Sequence, residues 1–196
     1  FAFELGAIVK DGINRMYGPD TPESERDVIY YITLYNENYP MPALPDHPET
    51  SGEFERGAVR GLYRWKPAPQ GKTHSATIIF SGISHQAATI AANELADHYD
   101  VGAELWSATS YKRLREQALE VERANRLHPS TPQEEPLVTQ LLNDSLGPIT
   151  AVSDFMRAVP EQILRFVPEG RRFSVLGTDG MDRSDTREAL RRYFEV

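Results

Sequence analysis

Apolar and polar positions alternate between two periods along the chain, and the switching predicts its elements. Phe1, Leu5, Ile8, Val9, Ile13 and Met16 recur at helical spacing up to Tyr17-Gly18, so the chain opens on an amphipathic helix. The run DVIYYITLY, Asp27 to Tyr35, is rich in β-branched and aromatic residues and predicts a buried strand. Residues 36–48 cannot extend it, because Pro40, Pro42, Pro45 and Pro48 remove backbone donors and force the preceding residues into extended conformations. That stretch predicts a linker or a loop laid over another surface, with a domain boundary near residue 50. Past it, Phe54 to Trp65 reads as a strand and residues 67–71 as a turn.

The stretch Thr77 to Trp106 reads as strand, tight turn, helix, turn and strand. Ile78, Ile79 and Phe80 form the first strand, Ser81-Gly82 breaks it, and Ser84 is placed to cap a helix. Ala87, Ala88, Ala91 and Leu95 predict that helix's buried face. Val101, Ala103 and Leu105 alternate with more polar positions and predict a returning strand, joined to the first by a right-handed parallel crossover. Tyr111, Leu114, Ala118 and Val121 form one stripe of a charged surface helix, continuous or broken, that ends at Pro129 and Pro132. A short helix follows Pro136, residues 149–152 form a strand, and Pro160 to Val167 forms a helix with Ile163, Leu164 and Val167 inward. Phe173 to Leu176 is the last strand. Asp185 to Phe194 is the last helix, with Asp185 and Glu188 as a capping pair. Alternating strands and helices predict an α/β fold, a three-layer α/β/α arrangement on a mostly parallel sheet.

Composition narrows the function more than it identifies it. The 196 residues, 40% of them hydrophobic, suffice for one ordinary domain with an appendage. A formal net charge of -8 argues against a generic nucleic-acid or anionic-membrane binder. The absence of cysteine removes thiol, disulfide and cysteine–metal chemistry and fits a reducing cytoplasm. No apolar run approaches the roughly 20 residues that span a bilayer, so a soluble protein is expected. A first residue other than methionine, inside a helix, predicts a fragment of a longer polypeptide.

Candidate chemistry is sparse. Ser81-Gly82-Ile83-Ser84 follows a strand and offers amides to an anion, but it lacks the glycines of a phosphate loop, and a plain turn with a helix cap is the stronger reading. His85, His98 and His128 lack metal-ligand spacing, and no serine sits in a nucleophile elbow. Arg171, Arg172, Arg183, Arg187, Arg191 and Arg192 are interleaved with Asp179, Asp182, Asp185 and Glu188, which predicts a solvated or ion-paired face.

Four separated motifs say more. YYITLYNENYPMP (Tyr30 to Pro42), LWSATSYKRLR (Leu105 to Arg115), VERANRLHP (Val121 to Pro129) and LGTDGMDRSDTREALRRYFEV (Leu176 to Val196) occur in one order. Together they resemble the homodimeric E1 component of the pyruvate dehydrogenase complex, a transketolase-like family of three α/β domains. The resemblance implies that residues 1–48 end the middle, pyrimidine-binding domain with its linker and that residues 49–196 form the C-terminal domain. It implies thiamine diphosphate and magnesium, bound by residues outside this chain, and a homodimer. It also implies decarboxylation of pyruvate followed by reductive acetylation of the lipoyl group of an E2 acyltransferase partner.

No residue here is expected to be catalytic, to bind the cofactor or to hold a metal, and the chain alone is expected to be inactive. Asn36, Glu37, Asn38 and Tyr39 are candidates for the substrate channel, since they follow a strand at its carboxyl end; a polar turn before the linker accounts for them equally well. The chain departs from the family at Met181-Asp182, where an aromatic-glycine pair is usual, and at Ala124, where tryptophan is common. A relative acting on another short 2-oxo acid such as 2-oxobutyrate is therefore an alternative, as is a non-catalytic dimerisation or regulatory module.

Overall fold

A computed structural model describes residues 1–35, 37–43, 51–180 and 183–195. They form two compact units, Phe1–Arg60 and Gly61–Val196.

In the first unit, α1 (Ala2–Tyr17) and α2 (Ser51–Arg60) pack together, and the Phe3 and Phe54 rings meet edge to face at 4.8 Å. The helical period of α1 is as the sequence predicts, but its buried face is not. Glu4, Ala7 and Gly12 are buried while Val9 and Ile13 are exposed, and Tyr30 lies across Gly12 and donates its hydroxyl to Asp11 Oδ2 at 2.8 Å. The predicted strand over Asp27 to Tyr35 does not form: the segment has no strand pairing among the described residues, and Ile29 and Tyr31 are more than nine-tenths exposed. A β-rich composition marks a segment fit for pairing, and the pairing itself needs a neighbouring strand, which the described part of this unit does not contain. Phe54 to Arg60 is helix rather than strand. The strand begins only at Leu62, after Gly61 takes a φ of 109°.

The second unit is built on five strands in the order β1-β3-β2-β4-β5: β1 (Leu62–Lys66), β2 (His74–Phe80), β3 (Val101–Ala108), β4 (Ile149–Val152) and β5 (Phe173–Leu176). Only β1 runs antiparallel. The mixed, mostly parallel α/β fold read from the sequence is therefore present. Five helices follow: α3 (His85–Tyr99), α4 (Tyr111–Leu127), α5 (Leu137–Asn143), α6 (Ala158–Glu161) and α7 (Arg187–Phe194). Ile79, Trp106 and Ala151, in register on three strands, face the main core with Leu114, Val138 and Leu142. Strand side chains alternate, so Phe80 turns to the other face, where its ring meets His85 at the start of α3.

Helix α4 is continuous and buries the expected Tyr111, Leu114, Ala118 and Val121. Helix α3 is rotated from its expected setting: Ala88 and Ala92 are buried, Leu95 is half-buried, and Ala87 and Ala91 are exposed. Ser84 precedes that helix without a side-chain cap bond. The simple alternation expected in β3 gives way to continuous burial from Gly102 to Ala108, as in a parallel strand covered on both faces. Buried Glu104 is tolerated there because its carboxylate accepts from the Thr77 hydroxyl at 3.0 Å and the Leu146 amide at 3.2 Å. In place of one helix over Pro160 to Val167, α6 is followed by a 3-10 turn, and Phe166 rather than Leu164 turns inward beside Ile163. The cap of α7 is Thr186, whose hydroxyl accepts from the Ala189 amide at 3.2 Å, and Asp185 instead bonds the Thr186 amide.

Candidate functional site

Parallel α/β sheets present ligands at the carboxyl ends of their strands. In the second unit those ends carry Ser81 to His85 after β2, Ser153 to Phe155 after β4, and Gly177 to Gly180 after β5. Gly82, at φ 54°, opens a 3-10 turn that leads directly into α3, which matches the turn expected there. His85 is buried against Phe80, whereas His98 and His128 are exposed. Among the described residues no three His, Asp or Glu side chains are grouped to hold a metal ion.

The loop after β5 is fastened to the loop after β4 by its own sequence. The Thr178 hydroxyl donates to the Asp154 carbonyl at 2.5 Å and its amide to the Phe155 carbonyl at 2.9 Å. Asp179 accepts from the Arg157 amide at 2.8 Å and from Arg157 Nε at 2.6 Å. A Cβ on Gly177 would stand 2.6 Å from the Phe155 carbonyl oxygen, so only glycine lets the two loops approach this closely. The hydrogen bond and charge of Arg157 hold the Asp179 carboxyl below its ordinary value, and the same contact raises the guanidinium. Arg157, Leu176, Gly177, Tyr193 and Phe194 border a cavity of about 250 Å³ beside this latch.

Of the C-terminal arginines, Arg191 is ion-paired and Arg183 is stacked on an aromatic ring. Arg191 pairs with Asp154 at 3.2 Å, and Arg183 lies over the Tyr193 ring at 4.7 Å and donates to its hydroxyl at 2.9 Å. Arg171 instead closes the exit from α5, donating to the Ser145 carbonyl at 2.8 Å and to the Ser145 hydroxyl at 2.9 Å. Sequence reasoning missed Arg157 and Glu104, because each takes its meaning from partners distant in sequence. Met181 and Asp182 lie outside the described residues, and Ala124 is exposed on α4.

Of the four channel candidates, Asn36 lies outside the described residues, as does the linker over 44–48. Glu37 and Tyr39 are half-buried and Asn38 is exposed, in a segment without regular secondary structure. Burial raises the Tyr39 phenol above its ordinary value, and the nearby charges of Glu4 and Glu37 add to the shift. The three are neighbours in the first unit, but among the described residues no strand precedes them to give the carboxyl-end setting that suggested them.

A family model described as the transketolase-like TK C-terminal domain matches residues 61–196, the span of the second compact unit. The pyruvate dehydrogenase E1 component of Mycolicibacterium smegmatis is 44% identical over 196 residues, covering 100% of this chain and 20% of that protein. The E1 components of Mycobacterium tuberculosis and Escherichia coli K12 are 43% and 38% identical, each over 100% of this chain and 20% of their own length. The chain thus spans about a fifth of the length of the curated relatives it matches.

Proposed function

The chain belongs to the transketolase-like C-terminal domain family, and from that premise we propose that it is the C-terminal part of a pyruvate dehydrogenase E1 component. In this reading the whole enzyme decarboxylates pyruvate with thiamine diphosphate and magnesium and passes the acetyl group to the lipoyl group of an E2 acyltransferase. The observation that carries it is identity of 37% to 44% along the full 196 residues to proteins named pyruvate dehydrogenase E1 component, which reaches beyond the 61–196 domain shared with transketolase-like proteins at large.

Among the described residues no three His, Asp or Glu side chains are grouped to hold a metal ion, and in this reading no step of the reaction is routed through this chain. The cofactor site falls to the rest of the polypeptide, and the chain on its own is inactive. Its work is assembly of a homodimer and the shaping of the approach to the active site, with Glu37, Asn38 and Tyr39 lining the substrate channel. The location is the cytoplasm, in keeping with a cysteine-free chain.

The test is a steady-state assay of the full-length polypeptide that contains this chain, supplied with E2, thiamine diphosphate, magnesium and either pyruvate or 2-oxobutyrate. Pyruvate should give the higher kcat/KM, and Glu37→Ala should lower kcat or raise KM without moving Tm. Preference for 2-oxobutyrate would overturn the substrate, absence of turnover with both would overturn the function, and unchanged kinetics in the variant would remove Glu37 from the channel.

A further inference from the structure

The register of the strands brings Ser81 and Ser153 to neighbouring positions at the carboxyl ends of β2 and β4, and Tyr111 lies beside Ser81. The register pairs Phe80 with Ser107 and with Val152, so Ser81 stands between Ala108 and Ser153 of the flanking chains. Hydrogen bonds from the Ser81 amide to the Val152 carbonyl and from the Ser153 amide to the Leu176 carbonyl, both 3.2 Å, continue the ladders one residue beyond the strands. Side chains alternate along a ladder. Ile79 and Ala151 face the core shared with α4, and two residues further on Ser81 and Ser153 return to that same face. The Ser81 hydroxyl donates to the Ala108 carbonyl at 3.1 Å, which leaves its lone pairs available. Tyr111, the first residue of α4, brings its phenol beside Ser81; burial raises the phenol's pKa strongly and the neighbouring serine offsets part of that rise.

The hydrogen bonding of this cluster does not close. Ser153 is 0% exposed and Tyr111 3%, and neither hydroxyl makes a hydrogen bond of acceptable geometry with any described residue. The Ser81 hydroxyl therefore lies beside the phenol without the geometry of a hydrogen bond. Buried hydroxyls left unpaired in a close-packed interior are destabilising, and native proteins pair nearly all of them with protein groups or with water. Here the protein supplies two donors, Tyr111 and Ser153, and one spare acceptor, Ser81. One bridging molecule able both to accept and to donate completes the set.

We propose that Ser81, Tyr111 and Ser153 form a binding site for a single buried water molecule. The water accepts the Tyr111 and Ser153 protons and donates to Ser81 Oγ, three bonds in all, the usual number for an internal water. It ties the exits of β2 and β4 to the start of α4.

Ser153→Ala and Tyr111→Phe, singly and together in the full chain, test the site by thermal unfolding and by 17O magnetic relaxation dispersion, which counts long-lived internal waters. Each single variant should lower Tm by roughly 3 °C and lose one long-lived water. The double variant should fall by less than the sum, since both changes empty the same site. An unchanged or raised Tm in Ser153→Ala, additive losses in the double variant, or an undiminished water count in either single variant would overturn the proposal.

Discussion

Asp179 shows how one exposed carboxylate couples the shape of a loop to pH. Its pKa is lowered first by the hydrogen bond from the Arg157 side chain and next by the bond from the Arg157 amide. A carboxyl whose folded value lies below its unfolded value of about 3.9 contributes stability that is fully present above the unfolded value. That contribution disappears as pH falls through the folded value. We therefore expect Asp179→Asn to lower Tm at pH 7, and the gap from the parent chain to close as the pH is taken below roughly 3.9. Calorimetry across that range checks it, and a gap that stays constant would remove Asp179 from the acid response. The residue was visible in the sequence among interleaved arginines, but its partner was not. Arg157 lies 22 residues away and outside that cluster, and only the pairing of β4 with β5 brings the two loops together.

At the scale of elements, the most legible features were those whose hydrogen bonds are local. Helix α4 needs no partner to satisfy its backbone, and its four-residue stripe meets one layer of core, so spacing alone identified the buried face. Leu114, fully buried in that stripe, should cost roughly 2–5 kcal/mol when replaced by alanine. Ile90, 60% exposed on α3, should cost no more than about 0.5 kcal/mol in the same exchange. Denaturant unfolding of the two variants decides it, and equal losses would mean that the packing assigned to the two helices is wrong. The failures follow the same logic. An alanine-rich α3 carries little contrast between faces, so its rotation was misjudged. Adjacent Asp185 and Thr186 are both good caps, and only geometry selects the threonine. The Asp27 to Tyr35 segment has a strand's composition without a strand's neighbours, and pairing is a property of two segments, not one.

At the scale of the whole molecule, the two units differ in how well each encloses its apolar residues. The core running from Leu62 to Phe166 lies entirely within Gly61–Val196, on five paired strands. The first unit leaves Ile29 95%, Tyr31 91% and Leu34 70% exposed along a single unpaired stretch. Neighbouring apolar side chains left in water tend to find a partner, and for identical chains two-fold closure is the commonest solution. We expect the full chain to self-associate as a dimer through Val28 to Leu34. Deleting residues 1–60 should abolish that association and leave the remaining chain folded, because its core loses none of its members. Light scattering at high micromolar concentration and thermal unfolding of both chains provide the test. A monomeric full chain would refute the association, a dimeric truncated chain would move the interface to the second unit, and loss of cooperative unfolding on truncation would show that the core of Gly61–Val196 does not stand alone.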